Sequence, residues 1–377
     1  MKILYICGIN LNQNFAGTVR VLNTAKHLAQ NGNTVHLLAP GFDASGLQGE
    51  GFRIHFAPTT NIRFLRTALF ILLFPLYYLV LMLKLRPDAV YERELALIPL
   101  SPLTRILFRT KHFMELNGFL PGDLPSGIKR SLVILNEKLS FMNASALIAS
   151  SKGLITGYTG KYQLTDKPVY VYVNSADEKK FFHILKYEVC NKTGLAVDYR
   201  YIATTGSFYS HHGLDLLVTA APEVISKHPK VRFLLVGDGP ARKGVEQLIA
   251  QKKLQDYFIL TGSVKHAEIP FYINASDICV SIDTRYPRGN TPTKVPEYMA
   301  CGKALLVSDN IEYEEIRQCG IAIPVDDKTA QSIADALNKM LADNVLLEKY
   351  GQNSLAAARN RYSYAITVKK LNDFLSA

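Results

Sequence analysis

Apolar positions along this chain follow two periods in turn, one of short runs and one of helical spacing. Lys2–Cys7 is a run of apolar, β-branched and aromatic residues that stops at Gly8, as a buried parallel strand does. After the polar loop NLNQNFAG, residues Thr18, Val21, Leu22, Ala25, Leu28 and Ala29 recur at helical spacing until Asn31-Gly32 stops them. TVHLLAP is the next strand. Strand, loop, helix and strand predict a right-handed βαβ opening. It is not a dinucleotide fingerprint, because the loop has no G-x-G-x-x-G. PDAVYER and KHFMELNG predict two more strands around a helix near Pro102–Phe108. A helix over Ile128–Met142 leads to the strand of SALIASSKG, and KPVYVYV follows as another. Lys179–Val197 is charged and has no strong period, which reads as a linker.

From Tyr199 the alternation begins again. YIATTG, VRFLLVGDGP, FILTG, ASDICVSID, KALLVSD and IAIPV read as strands, and LDLLVTAAPEVISKH as a helix. Gln331–Leu341 sets Ile333, Ala336, Leu337, Met340 and Leu341 on one helical face. Tyr362–Ala377 predicts a last helix. The expected fold class is α/β, with two doubly wound, Rossmann-like domains over 1–178 and 199–361, a linker over 179–198 and a closing helix over 362–377.

Composition narrows this picture. The chain has 377 residues, 48% of them hydrophobic and 20% charged, which fits two globular α/β domains. A net charge of +11 favours acidic partners. The absence of any Lys/Arg block of five or more argues against nucleic acid. Cys7, Cys190, Cys279, Cys301 and Cys319 have no C-x-x-C spacing and read as reduced, buried residues. The chain opens directly as a strand rather than as a signal peptide, so the expected location is cytoplasmic.

One segment breaks the alternation. Residues 67–83, TALFILLFPLYYLVLML, carry no charge, and Arg63, Arg66, Lys84 and Arg86 flank them. The segment reads as a core helix, as a helix lying in a membrane interface, or as a span. The span is disfavoured, because the run is slightly short, Pro75 sits in its middle, and a span would split a Rossmann-like domain. The interfacial reading would place the chain peripherally on the inner face of an anionic membrane.

Candidate chemistry concentrates in Thr291–Asp309, TPTKVPEYMACGKALLVSD. PEYMA predicts a short helix, with Pro296 and Glu297 in its first turn and Gly302 closing it, before the strand KALLVSD. Backbone amides of the Asn290-Thr291-Pro292-Thr293 loop, the helix dipole and Lys294 together suit a phosphate or diphosphate. Glu297 suits sugar hydroxyls, so a ligand bearing both groups is expected. An ordinary capped helix feeding a strand is the alternative.

EYMACGKALLVSD closely resembles the C-terminal signature of retaining GT-B glycosyltransferases of the large family-four type. The resemblance runs over most of the chain and is strongest from Tyr201 to Asp309. It implies two Rossmann-like domains facing each other across a cleft, with a nucleotide-sugar site in which Glu297 holds the donor ribose. Many such proteins carry a second acid where Gly289 stands here. A branch with Pro-x-Lys before the glutamate lacks it, and Pro292-Thr293-Lys294 fits that branch. Three loops are candidates for the donor: Gly206-Ser207 through His212, then Gly237-Asp238-Gly239, then Arg285 through Glu297 with Thr291, Pro292, Thr293 and Lys294. In the third loop Arg288 is a further candidate charge. The family's usual Arg and Lys stand as Ser207 and His212 here. Half of the family's acceptor-side glycine pair is kept, as Gly17-Thr18. Glu115 and Asn117 match the end of the fourth strand, where a catalytic-region residue is found. That makes Lys294, Glu297 and Glu115 the catalytic candidates and Gly17, Thr18 and Asn117 the acceptor candidates. Glu115 capping a loop is the bland alternative. Asn174 and Asp177 match the turn that closes the first domain.

The expected reaction moves a sugar, with retention, from a nucleoside diphosphate sugar to a glycan or lipid-linked acceptor, with no cofactor. Fixed donors aimed at the β-phosphate would stabilise the leaving group. The paired His211-His212 raise a metal reading. It is set aside, because adjacent residues rarely ligate one ion together and no Cys/Asp cluster lies nearby in sequence. A catalytically inactive GT-B protein that binds a nucleotide or a partner is the alternative. An epimerase of the same architecture has no distinctive support.

Overall fold

The structure is a computed structural model that describes the chain except for residues 13–15, 42–50, 61, 94, 96, 118–126, 163–166, 285–291, 310–312 and 327. Arg285, Arg288 and Thr291, among the donor candidates, lie outside the described residues. The chain divides into two compact units. One holds residues 1–174 with 364–377, and the other residues 175–363 apart from 285–291.

The first unit strings β1 Lys2–Cys7, β2 Thr34–Pro40, β3 Phe52–Ala57, β4 Ala89–Arg93, β5 Lys111–Leu116, β6 Ala146–Ala149 and β7 Val169–Val171 into one parallel sheet. Their order is β3-β2-β1-β4-β5-β6-β7, which reverses direction between β1 and β4. β3 is an element that the hydrophobic pattern missed. It is an edge strand with mostly half-buried side chains, so it never needs a continuous apolar run. The expected helix near Pro102–Phe108 is a single α turn, Ser101–Leu103, continued by a π turn, Thr104–Phe108.

Register shows which helices share a face. Leu4 pairs with Val90 and Val90 with His112, while Ile6 pairs with Glu92 and Glu92 with Met114. Leu4, Ile6 and Val90 pack against Phe74, Tyr78, Leu81 and Met82 of helix Arg63–Leu85. Met114 packs against Phe141 of helix Ile128–Asn143. Both helices therefore cover the same side. Ile3, Tyr5 and Cys7 point to the other side, against helix Ala16–Gln30 and the last helix, Tyr364–Ser376.

The second unit orders β8 Arg200–Thr205, β9 Val231–Val236, β10 Phe258–Gly262, β11 Ile278–Ser281, β12 Ala304–Ser308 and β13 Ala322–Val325 as β10-β9-β8-β11-β12-β13, again all parallel. Its direction reverses between β8 and β11. The stretch expected as linker is folded into this unit. Helix Lys186–Thr193 buries Val189 and Cys190 against Ala275.

Candidate functional site

In an open α/β sheet ligands gather beyond the carboxyl ends of the strands where their order reverses. In the second unit that place lies beyond β8 and β11. β8 ends on Thr204 and Thr205, both buried, and Gly206 follows, exposed. Helix Lys294–Ala300 docks on this end through polar contacts. The Lys294 ammonium donates to Thr204 Oγ1 at 3.2 Å, and the Thr205 amide donates to the Tyr298 hydroxyl at 2.7 Å. Glu297 sits in the first turn, as its spacing predicts, and Gly302 closes the helix at φ 70°.

The two charged groups on this turn are set by burial. Burial pulls the Lys294 ammonium down to about 8, while the charges of Asp283 and Glu297 act the other way. Burial pushes the Glu297 carboxyl up from its ordinary value, and His266 and Lys294 moderate the shift. His266 Nε2 stands 3.7 Å from Glu297 Oε1, and its ring meets Phe181 edge-on. The spacing gave no hint of His266. Its only signal was a position just beyond strand FILTG, at the carboxyl end of the sheet.

On the β8 side the loop folds into a 3-10 turn, Ser210–His212. His212 Nδ1 donates to the Ser207 carbonyl at 2.6 Å, which leaves Nε2 as the free acceptor. Burial, then the neighbouring Lys294 charge, holds His212 near 4, so the ring is neutral at pH 7. The fold also brings the buried Asp283 from the end of β11. One ligand atom from each of His211, His212 and Asp283 lies within 4.8 Å of the others. Two imidazoles and a carboxylate suit a transition metal. The Lys294 charge, which adds to burial in keeping His212 unprotonated, also opposes a cation there.

Three sequence readings need revision. Gly237, Asp238 and Gly239 were candidates for holding the donor. A Cβ on Gly237 would stand 1.9 Å from the Gly206 carbonyl oxygen, so what approaches is the neighbouring loop's own backbone. The Phe208 amide donates to the Asp238 carbonyl at 2.9 Å, and the Asp238 carboxylate turns back onto the Gly239 amide and Arg242. Glu115 was a catalytic candidate and is fully buried. Its Oε1 accepts from Arg20 and Arg93 at 3.0 Å, and its Oε2 from the Tyr91 hydroxyl at 2.5 Å. Burial alone would raise its carboxyl, but Arg93, Arg20 and the Tyr91 bond hold it below the usual value. It braces the first unit and has no face left for substrate. Thr18 is buried as well, whereas Gly17 and Asn117 are half-buried, after β1 and β5.

Pro292 and Thr293 are half-buried beside Lys294, and Ser207 is exposed. The second unit thus brings together Thr204, Ser207, His212, Asp283, Lys294 and Glu297 around one sheet end.

Residues 188–356 match the family model for Glycosyl transferases group 1. The part of the chain similar to this family thus falls within the second unit. The phosphatidylinositol N-acetylglucosaminyltransferase gpi3 subunit of Schizosaccharomyces pombe is 38% identical over 72 residues, 19% of this chain and 16% of that protein. The alpha-D-kanosaminyltransferase of Streptomyces kanamyceticus is 27% identical over 159 residues, 42% of this chain and 40% of that protein. The alignments thus span well under half the length of these two curated relatives. HepE of Anabaena, solved in complex with UDP, superposes over 100% of both chains with a TM-score of 0.78 at 19% identity. The two parallel-sheet α/β domains match those of GT-B glycosyltransferase structures, as the fold class read from the sequence implied.

Proposed function

We propose that this chain is a retaining glycosyltransferase that moves a sugar from a nucleoside diphosphate sugar to a glycan or lipid-linked acceptor. One observation carries the reading. Lys294 and Glu297 share a turn at the point where the second sheet reverses, inside the stretch that matches the group 1 family. Lys294 is the diphosphate cation, and Thr293, Ser207 and the neutral His212 are hydrogen-bonding partners around it. Glu297 takes the ribose hydroxyls, with His266 beside it. As the sugar leaves, charge grows on the β-phosphate, and a fixed, desolvated ammonium stabilises it more there than in water. No metal is needed for that role. A structure of this fold that holds UDP supports a nucleoside diphosphate as the donor part. In this reading Gly17 and Asn117 are the acceptor candidates.

One observation favours the second reading, a GT-B protein that binds a nucleotide without turnover. Ser207 and His212 stand where the resemblance implies a cationic pair, and His212 is neutral. Mass-spectrometric detection of donor hydrolysis across a set of nucleotide sugars separates the two. Turnover that survives chelation supports the enzyme, and binding without turnover supports the second reading. Glu297→Ala should weaken donor affinity roughly tenfold to a hundredfold, the worth of one charge-assisted hydrogen bond of about 1.5–3 kcal/mol. Unchanged affinity in a folded variant would refute the ribose assignment.

A further inference from the structure

Helix Arg63–Leu85 has two apolar faces. Phe74, Tyr78, Leu81 and Met82 are buried against the first sheet. Leu72, Leu76, Val80 and Leu83 point away from it, and Leu72 is 66% exposed. The helix is long and apolar enough to cross a membrane, with 22% of its apolar window buried. Spanning would strip those four core residues from the sheet, so the helix stays in its unit, and its outer face is left exposed among the described residues.

A second helix repeats this pattern. Ile128, Leu132, Leu135, Leu139 and Met142 of Ile128–Asn143 are all exposed, Ile128 at 83%. Their spacing of four, three, four and three places them on one stripe. Strand register puts this helix on the same side of the sheet as Arg63–Leu85. The π turn Thr104–Phe108 connects the two. Thr104 bonds the Tyr78 hydroxyl of the first helix, and Arg105 donates to the Met142 carbonyl at the end of the second. Ile106 and Leu107 on this turn are exposed at 72% and 60%.

Charge says what covers this surface. Arg66, Lys84, Arg86, Arg105, Arg109 and Lys138 are exposed on or beside these elements. The one acid on the three elements, Glu137, is buried, where it accepts from the hydroxyls of Tyr158 and Tyr162. Beside them Asp88 is exposed and accepts from the Lys2 amide, so the described rim is mostly basic. A large aliphatic surface with a mostly basic rim matches an anionic lipid interface. An isologous pairing of two copies would set these basic rims against each other.

We infer that the outer faces of helices Arg63–Leu85 and Ile128–Asn143, joined by the Thr104–Phe108 turn, form one surface that seats this chain on an anionic bilayer without crossing it. The inference does not depend on the transfer reaction and is tested without a donor. Vesicles of phosphatidylcholine, with and without phosphatidylglycerol, are sedimented with the intact chain at low and high salt. The intact chain should bind the phosphatidylglycerol vesicles, less strongly at high salt but still measurably, because apolar insertion is insensitive to screening. Leu72→Gln/Leu76→Gln and Leu132→Gln/Leu135→Gln change exposed side chains only, and their folding is checked by thermal melting. Each pair should weaken binding at least about tenfold, since two apolar side chains no longer leave water. No binding at low salt overturns the inference, and so does complete loss of binding at high salt. A Leu132→Gln/Leu135→Gln variant that binds as well as the intact chain shows that the surface is not composite. A concentration-dependent dimer that both pairs abolish, with no vesicle binding, assigns the surface to a second copy instead.

Discussion

Burial pulls the Lys294 ammonium down to about 8, so most copies carry the charge at pH 7 and few do at pH 9.5. Donor affinity should therefore fall as pH rises through about 8, which calorimetry from pH 7 to 9.5 would record. Lys294→Ala should remove that dependence and reduce kcat more than affinity, because the charge it meets grows in the transition state. Equal losses would make Lys294 a binding group only. The same shift bears on stability. The folded value lies below the ordinary 10.5, so between about 8 and 10.5 the unfolded chain holds more protons. The contribution of this group to stability then rises with pH across that window. Glu115 shows the opposite outcome for a buried charge. Two arginines and a tyrosine satisfy it, and its removal would leave Arg20 and Tyr91 buried, and Arg93 half-buried, without their anion. The position of Glu115 at a strand end was visible in the sequence. Its partner Arg20 was not, because the helix carrying it is far away along the chain and only packing brings the two together.

At the scale of elements, the loops after β8 and β9 form one backbone unit. Gly237 has φ 145°, and its missing side chain makes room for the Gly206 carbonyl. Gly237→Ala should cost about 1–3 kcal/mol from backbone strain alone, measured as a lower urea midpoint, with further loss from the clash. An unchanged midpoint would mean that the two loops separate freely and that the glycine serves a ligand after all. The helix at 63–85, without charge over 67–83, shows a different limit of sequence. Its composition permitted a core helix, an interfacial helix or a span. The structure uses one face for the core and leaves the other exposed, a division that composition cannot express. The stripe on Ile128–Asn143 has helical spacing like any core face. Only its exposure distinguishes it from one.

At the scale of the whole molecule, the chain returns to its first unit. Tyr364, Val368, Leu371 and Leu375 of the last helix are buried against β1 and helix Ala16–Gln30. Truncation at Ser363 removes four apolar side chains, each worth about 1.5–3 kcal/mol on burial. The first unit should then unfold separately, seen as an early transition in calorimetry. A truncated chain melting as the intact one does would show that the helix is dispensable. Runs of apolar residues, helical spacing and turn residues were enough to read two α/β domains and most of their strands, because burial on both faces of a parallel sheet leaves a local trace. The motif from Thr291 to Asp309 was legible for the same reason, since a short helix beside a strand end is a local object. Strand order, the edge position of β3, the convergence of His266 on Glu297 and of Asp283 on the paired histidines, and the fate of Glu115 came only from tertiary structure. Each depends on contacts between residues far apart in the chain, and such contacts impose no period on the sequence around them.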